Sequence, residues 1–265
     1  MGAIMTESAL IVIPARMAST RFPNKPMATI TGKTMLERVW AIAKAVGPAN
    51  DVVIATDDEV LAKFARGFGA KVLMTSPYCP TGTDRVAEAA LQESHHSIFF
   101  SLQGDAVLTP PWVVEQVLNV MLKDPDIQIA TPAVKLTGSA LKDFVESKRG
   151  GSSSGTTVVF DKNGDAMYFS KSIIPFDRDE MNPERPIFRH IGLYGYRMQT
   201  LQVLSQLPEG VFEKAEKLEQ LRALENKIPI RVVEVDYRGR THGSVDRPED
   251  VKFVESVIAK EWELL

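Results

Sequence analysis

The sequence predicts an α/β fold built on a mainly parallel sheet. Its first half alternates short apolar runs with amphipathic stretches at helical spacing, and glycines and prolines punctuate the joins. Strands that alternate with helices imply right-handed crossovers and parallel pairing. The second half changes character. A Gly/Ser-rich stretch, a turn containing Asn-Gly and a Pro- and charge-rich segment point to a smaller β-rich section at roughly 150–200, set into the α/β core. No repeat or domain-sized linker divides the chain, so residues 1–265 read as a single domain with that section inside it.

Ala9–Ile13 is expected as an apolar strand. Thr34–Val46 reads as a helix with Met35, Val39, Ile42, Ala43 and Val46 on one face, ended by Gly47-Pro48. Asp51–Ala55 is a second strand, after which Asp57 or Asp58 caps a helix running to about Arg66. Strands at Lys71–Met74 and Ser97–Leu102 flank a helix at Thr83–Gln92. A helix at Pro111–Leu122 and a strand at Ile127–Val134 follow. Thr156–Phe160 and Ala166–Phe169 form a hairpin, and Ile174–Arg189 reads as loop. Ile191–Arg197 and Ile230–Val235 are strands, Glu213–Leu224 one strong helix, and Pro248–Ala259 a closing helix.

Composition excludes several classes. A net charge of −3 with ordinary apolar content gives no footprint of a general nucleic-acid binder. No apolar run is long enough to span a bilayer, so no membrane partner is expected. The lone cysteine, Cys79, rules out an internal disulfide and fits a reducing, cytoplasmic compartment. The sequence places no activating base beside it.

The most informative stretch is Pro14-Ala15-Arg16 through Pro26, directly after the first strand. Arg16, Arg21 and Lys25 fall within ten residues, beside the hydroxyls of Ser19 and Thr20. A loop at the C-terminal end of a first parallel strand is where an open α/β sheet binds its ligand. This one suits a polyanion, with a nucleoside triphosphate the natural candidate. The glycines of a Walker A loop or a dinucleotide fingerprint are absent.

A carboxylate is expected at the same edge. Ile98–Leu102 runs into Gln103-Gly104-Asp105, so Asp105 reads either as a ligand for magnesium, which would offset its repulsion of a triphosphate, or as a turn former before Pro110-Pro111. Asp246, expected between a strand and the last helix, reads as a second metal ligand or as an N-cap boxed by Glu249. Thr81-Gly82-Thr83-Asp84-Arg85 opens a helix whose hydroxyls and free N–H groups suit a base edge or phosphate, while Arg85 has the alternative of a surface pair with Glu88.

Together these segments resemble the sugar nucleotidyltransferases that activate 2-ulosonic acids with CTP, above all the 3-deoxy-manno-octulosonate cytidylyltransferase (CMP-Kdo synthetase) family. The resemblance covers nearly the whole chain. It rests on Ile13-Pro14-Ala15-Arg16, Ser19-Thr20-Arg21, Lys25-Pro26, Ala55-Thr56-Asp57, Thr81–Arg85 and Gln103-Gly104-Asp105. It continues in Tyr168-Phe169-Ser170, Ile174–Arg178, Arg189–Tyr196, Leu218–Arg222 and Val245–Asp250. It implies a Rossmann-like nucleotidyltransferase fold and transfer of CMP from CTP to the anomeric hydroxyl of Kdo, with pyrophosphate released, for lipopolysaccharide biosynthesis. It also implies that Pro14, Ala15, Arg16, Ser19, Thr20, Arg21 and Lys25 hold the nucleotide, and that Thr81, Gly82 and Arg85 help read the cytidine. Asp105 and Asp246 would bind Mg2+ and, with Arg16 and Lys25, carry the chemistry. Gln103, Arg178, His190, Tyr194, Glu219 and Gln220 would line a sugar pocket, and the β-rich section would form a homodimer interface. Read without the family, His190 is a structural strand histidine and Glu219-Gln220 a solvated helix face.

Three departures stand out. Ala106-Val107 follow Asp105 where the family carries an acidic residue and proline. The strand leading into the hairpin begins Ser154-Gly155-Thr156-Thr157 and lacks the usual lysine. Asn24 replaces a glycine before Lys25, a mild change because Asn tolerates positive φ. The first two leave open a different ulosonic acid, 8-amino-Kdo or a sialic-acid-like sugar, and a non-catalytic nucleotide-binding paralogue is the other reading.

Overall fold

The computed structural model describes residues 7–18, 21–176, 178 and 185–264. Ser19 and Thr20 lie outside the described residues. Strand β1 (Ala9–Pro14) is buried through Ile13. Ala9, Ile11 and Ile13 join one hydrophobic cluster and Leu10 and Val12 another, so both faces of the sheet have to be covered. A short ribbon, β2 (Thr29–Ile30) and β3 (Lys33–Thr34), leads into α1 (Met35–Lys44). Thr34 and Glu37 start that helix with a capping box.

The alternation continues through β4 (Asp51–Thr56), α2 (Glu59–Gly67), β5 (Lys71–Met74) and α3 (Gly82–Gln92). Then come β6 (Ile98–Ser101), α4 (Pro111–Lys123), β7 (Ile129–Lys135) and α5 (Gly138–Arg149). β4 and β6 flank β1 in parallel, and β5 lies outside β4. The chain then forms β8 (Thr156–Phe160), β9 (Ala166–Ser170), β10 (Phe188–His190), β11 (Tyr194–Arg197), α6 (Met198–Gln206), α7 (Val211–Glu216), α8 (Gln220–Glu225), β12 (Ile230–Glu234) and α9 (Pro248–Glu261). Ten strands form one sheet among the described residues, with β11 inserted antiparallel between β6 and β7. Core residues of α1, α2, α4 and α9 cover one face and those of α3, α6 and α8 the other.

Four expectations are corrected. The expected loop at Ile174–Arg189 ends in strand β10. Of the strand expected at Ile191–Arg197 only Tyr194–Arg197 forms, as β11; it and β10 are separated at residues 191–193. They run against β7 where Pro132 has no N–H to donate to a ladder, and the Pro132 carbonyl and Thr131 hydroxyl take over the bonding there. Helices α5 and α6 were not expected at all. The single helix at Glu213–Leu224 is two helices, broken where Lys217 adopts φ 54°, ψ 46°. A left-handed lysine costs roughly 1–2 kcal/mol. A buried ion pair bridges the break: Arg222 donates to Glu213 Oε2 at 2.8 Å and to Oε1 at 2.6 Å.

That pair fixes the α7–α8 elbow. Glu213→Gln should lower stability by about 3 kcal/mol, because it leaves the buried Arg222 charge uncompensated. Urea denaturation checks this, and a loss below about 1 kcal/mol would mean that the pair does not hold the elbow.

Candidate active site

The loops that follow β1, β4 and β6 open on one edge of the sheet because these strands run parallel and in register. Gly104 marks how closely they approach, since a Cβ there would lie 3.1 Å from the Pro14 carbonyl oxygen. A cleft of about 280 Å³ opens at this edge. Pro14, Ala15, Arg16, Arg21 and Lys25 line one side, and Thr81, Gly82, Arg85, Gln103, Asp105 and Asp246 the rest. The structure thus gathers every described residue expected to hold nucleotide or metal.

Lys25 reaches the cleft from a 3-10 turn, Lys25–Met27, that starts at Asn24 with φ 55° and ψ 28°. Asparagine there meets the left-handed requirement that a glycine would meet. Lys25 Nζ lies 2.6 Å from Asp105 Oδ2 and 3.9 Å from Asp246 Oδ1, and Arg21 lies 3.3 Å from Asp246 Oδ1. The two carboxylates therefore face one point. The link is backbone: the Val245 N–H donates to the Asp105 carbonyl at 3.3 Å and sets the next residue beside the first carboxylate.

The capping alternative for Asp246 fails. Asp246 does lie between β12 and α9, but Arg247 is the N-cap of α9, and Asp250, not Glu249, accepts the Asp246 and Arg247 N–H groups at 2.7 and 2.8 Å. Asp246 keeps its oxygens for the cleft. The alternative for Arg85 fails as well. Arg85 is buried, ion-paired to Asp57 at 3.0 Å and bonded to Thr75, while Glu88 accepts from Ser76 and Cys79. Asp58 is the cap of α2, which leaves Asp57 to Arg85. Arg85 shapes the cleft wall with its charge already paired.

A second cleft of about 140 Å³ shares Gly82 and Gln103 with the first. Tyr194, Glu219 and Gln220 line it too. Glu219 and Gln220 are not a solvated face. Burial raises the Glu219 carboxyl above the usual carboxylate range, and Gln220 is 7 % exposed with no partner for its Nε2. Gln220 thus offers the second cleft an amide donor that no protein acceptor satisfies.

His190 stands behind this cleft, its ring 5.5 Å from that of Tyr194. The Thr131 hydroxyl has one proton, given to the Leu193 carbonyl at 2.7 Å, so His190 Nε2–H donates to Thr131 Oγ1 at 2.8 Å. Burial pushes the imidazole down to about 3, and it stays neutral. Arg178 is exposed and lines neither cleft. Sequence reasoning missed Thr83 and Tyr196 in the second cleft; Tyr196, two residues beyond Tyr194 on β11, was legible from strand alternation.

Cations for a polyphosphate, carboxylates suited to a divalent ion and a polar chamber for an acceptor meet at one strand edge, which is what an α/β nucleotidyltransferase needs. Residues 10–231 match the family model described as Cytidylyltransferase, and the chain belongs to that family. It is 51 % identical over 97 % of its length to the whole 3-deoxy-manno-octulosonate cytidylyltransferase of Maricaulis maris. It is 38 % identical over 95 % of its length to 99 % of an 8-amino-3,8-dideoxy-manno-octulosonate cytidylyltransferase of a Shewanella species. Among solved structures it resembles a CMP:2-keto-3-deoxy-manno-octonic acid synthetase complexed with CTP, with a TM-score of 0.84 and 37 % identity over 96 % of this chain and 100 % of that one.

Cys79 also lines the first cleft. Burial and its bond to Glu88 at 3.1 Å push the thiol up to about 11. Thiolate is therefore scarce at neutral pH. Alkylation by iodoacetamide, followed by mass spectrometry, should be slow at about pH 8 and climb with pH until the thiolate fraction saturates. A rate that levels off below about pH 9, near the ordinary thiol value, would show that Glu88 does not guard it.

Proposed function

We propose that this chain transfers CMP from CTP to the anomeric hydroxyl of Kdo. The observation that carries the reading is the shared wall of Gly82 and Gln103: it sets the cation-lined cleft directly beside a polar chamber with an unpartnered donor. The 51 % identity to the Maricaulis maris protein, over 97 % of this chain and the whole of that one, supports Kdo as acceptor.

The donor chemistry at Asp105 and Asp246 fits magnesium. Two hard carboxylate oxygens face one point, and magnesium is held by one or two carboxylates plus substrate phosphates. When bound, the ion would neutralise charge on the phosphoryl oxygens. The chain's own residues do the rest. Arg16, Arg21 and Lys25, with Ser19 and Thr20 of the same loop, grip the phosphates. The sugar hydroxyl attacks the α-phosphorus in line, and the same cations stabilise the departing pyrophosphate. Gln103, Tyr194, Glu219 and Gln220 orient the sugar hydroxyls, and His190 supports Tyr194 from behind. No covalent enzyme intermediate is needed.

Exposed Met167 on β9 and exposed Val211 and Phe212 on α7 support a homodimer formed by the β-rich section. The ring of Phe212 packs edge-on to that of Tyr168 on β9, so the two elements are contiguous. Association here would remove apolar side chains from water. Sedimentation should report two chains, and Phe212→Glu should give one.

Pyrophosphate release from CTP should require Mg2+ and occur with Kdo in preference to 8-amino-Kdo and N-acetylneuraminate. Release with another sugar alone would overturn the assignment of Kdo. Asp105→Asn should lower kcat by about a hundredfold or more without unfolding the protein. Full turnover by that variant would remove Asp105 from the mechanism. Glu219→Gln should raise KM for the sugar and leave KM for CTP unchanged.

A further inference from the structure

We propose that Glu93, His95 and His96 form a binding site for a divalent transition ion of the zinc class, at the sheet edge opposite the nucleotide cleft. The three residues lie in the turn between α3 and β6. Glu93 is the C-cap of α3, and the His96 N–H donates to its carbonyl at 3.1 Å, which folds the turn back on itself. One donor atom from each of the three side chains then lies within 4.8 Å of the others.

The independent sign of a missing ligand is His96. It is 6 % exposed, and neither ring nitrogen has a hydrogen-bond partner. Buried polar groups are bonded in the great majority of cases, and an imidazole has an acceptor nitrogen that a metal satisfies as well as a proton does. Desolvation lowers the His96 imidazole from its ordinary value, in the direction of the neutral form that ligates. Glu93 is buried as well. Lys71 takes its Oε1 at 2.8 Å, while Oε2 lies 3.8 Å from His95 Nε2. Asp51 shares the Lys71 charge at 3.1 Å, which softens the repulsion of a second cation. His95 is exposed, so its ring is free to turn the short distance needed.

Two imidazole nitrogens and one carboxylate oxygen suit zinc, with water as a fourth ligand, better than magnesium, which takes oxygen donors. Both histidines border an open cleft of about 950 Å³ from which ion and water can enter. The site sits at the start of β6, and a strand of this sheet such as β1, six residues long, spans about 20 Å. An ion there is too far away to act on the phosphates. It would staple the end of α3 to the start of β6.

The test is a zinc titration of the purified chain against a chromogenic chelator, with excess Mg2+ to cover the cleft carboxylates. One zinc per chain is expected. His95→Ala, at an exposed position that folding does not depend on, should weaken binding by at least about tenfold, since even indirect support of a metal ligand is worth that much. Magnesium-dependent pyrophosphate release by His95→Ala should match the parent. His96→Asn should weaken zinc similarly, with circular dichroism as its folding control. Undiminished zinc affinity in His95→Ala, or no stoichiometric uptake by the parent chain, would overturn the site.

Discussion

Parallel pairing of β1 with both β4 and β6 is the constraint on which the rest of this protein depends. In-register parallel strands end together, so the loops after Pro14, Thr56 and Ser101 are delivered to one edge. The buried, two-faced character of β1 enforces the pairing, because Ile11 and Ile13 need one helical layer and Leu10 and Val12 another. Slipping β1 by one residue would exchange those sets between the two layers. The position of the cationic loop thus follows from the burial of the aliphatic side chains of β1.

At that edge the charges hold one another in place. Lys25 is mostly buried and lies between Asp105 and Asp246, and Arg21 leans on Asp246. Such a cluster is poised for exchange. On the proposed function, a triphosphate would supply anions for the cations and a divalent ion a cation for the carboxylates. Arg85 is different. Its charge is spent on Asp57 in a buried pair that fixes the cleft wall, so a cluster that reads uniformly in sequence divides into exchangeable and structural members.

The departures from the family pattern also have physical readings. Ala106 and Val107 are 5 % and 3 % exposed and pack into the core that includes α9. Together they form an apolar plug directly after Asp105. Asn24 occupies the left-handed backbone position that its side chain tolerates.

The sequence by itself determined the α/β class, nearly every strand and helix of the first half, and the cationic loop at the end of β1. Those features are local: apolar periodicity and a run of cations after a strand are legible without knowing what they touch. The tertiary structure alone decided three things. The Val245–Asp105 bond, across a long separation in sequence, set the two carboxylates side by side. The buried Glu213–Arg222 pair bent an apparently continuous helix and turned Glu219 and Gln220 inward. Pro132 interrupted the ladder and assigned His190 to the Thr131 hydroxyl behind the second cleft. Two of these join residues far apart along the chain and the third spans nine residues, and the energy of each depends on burial that no local pattern encodes.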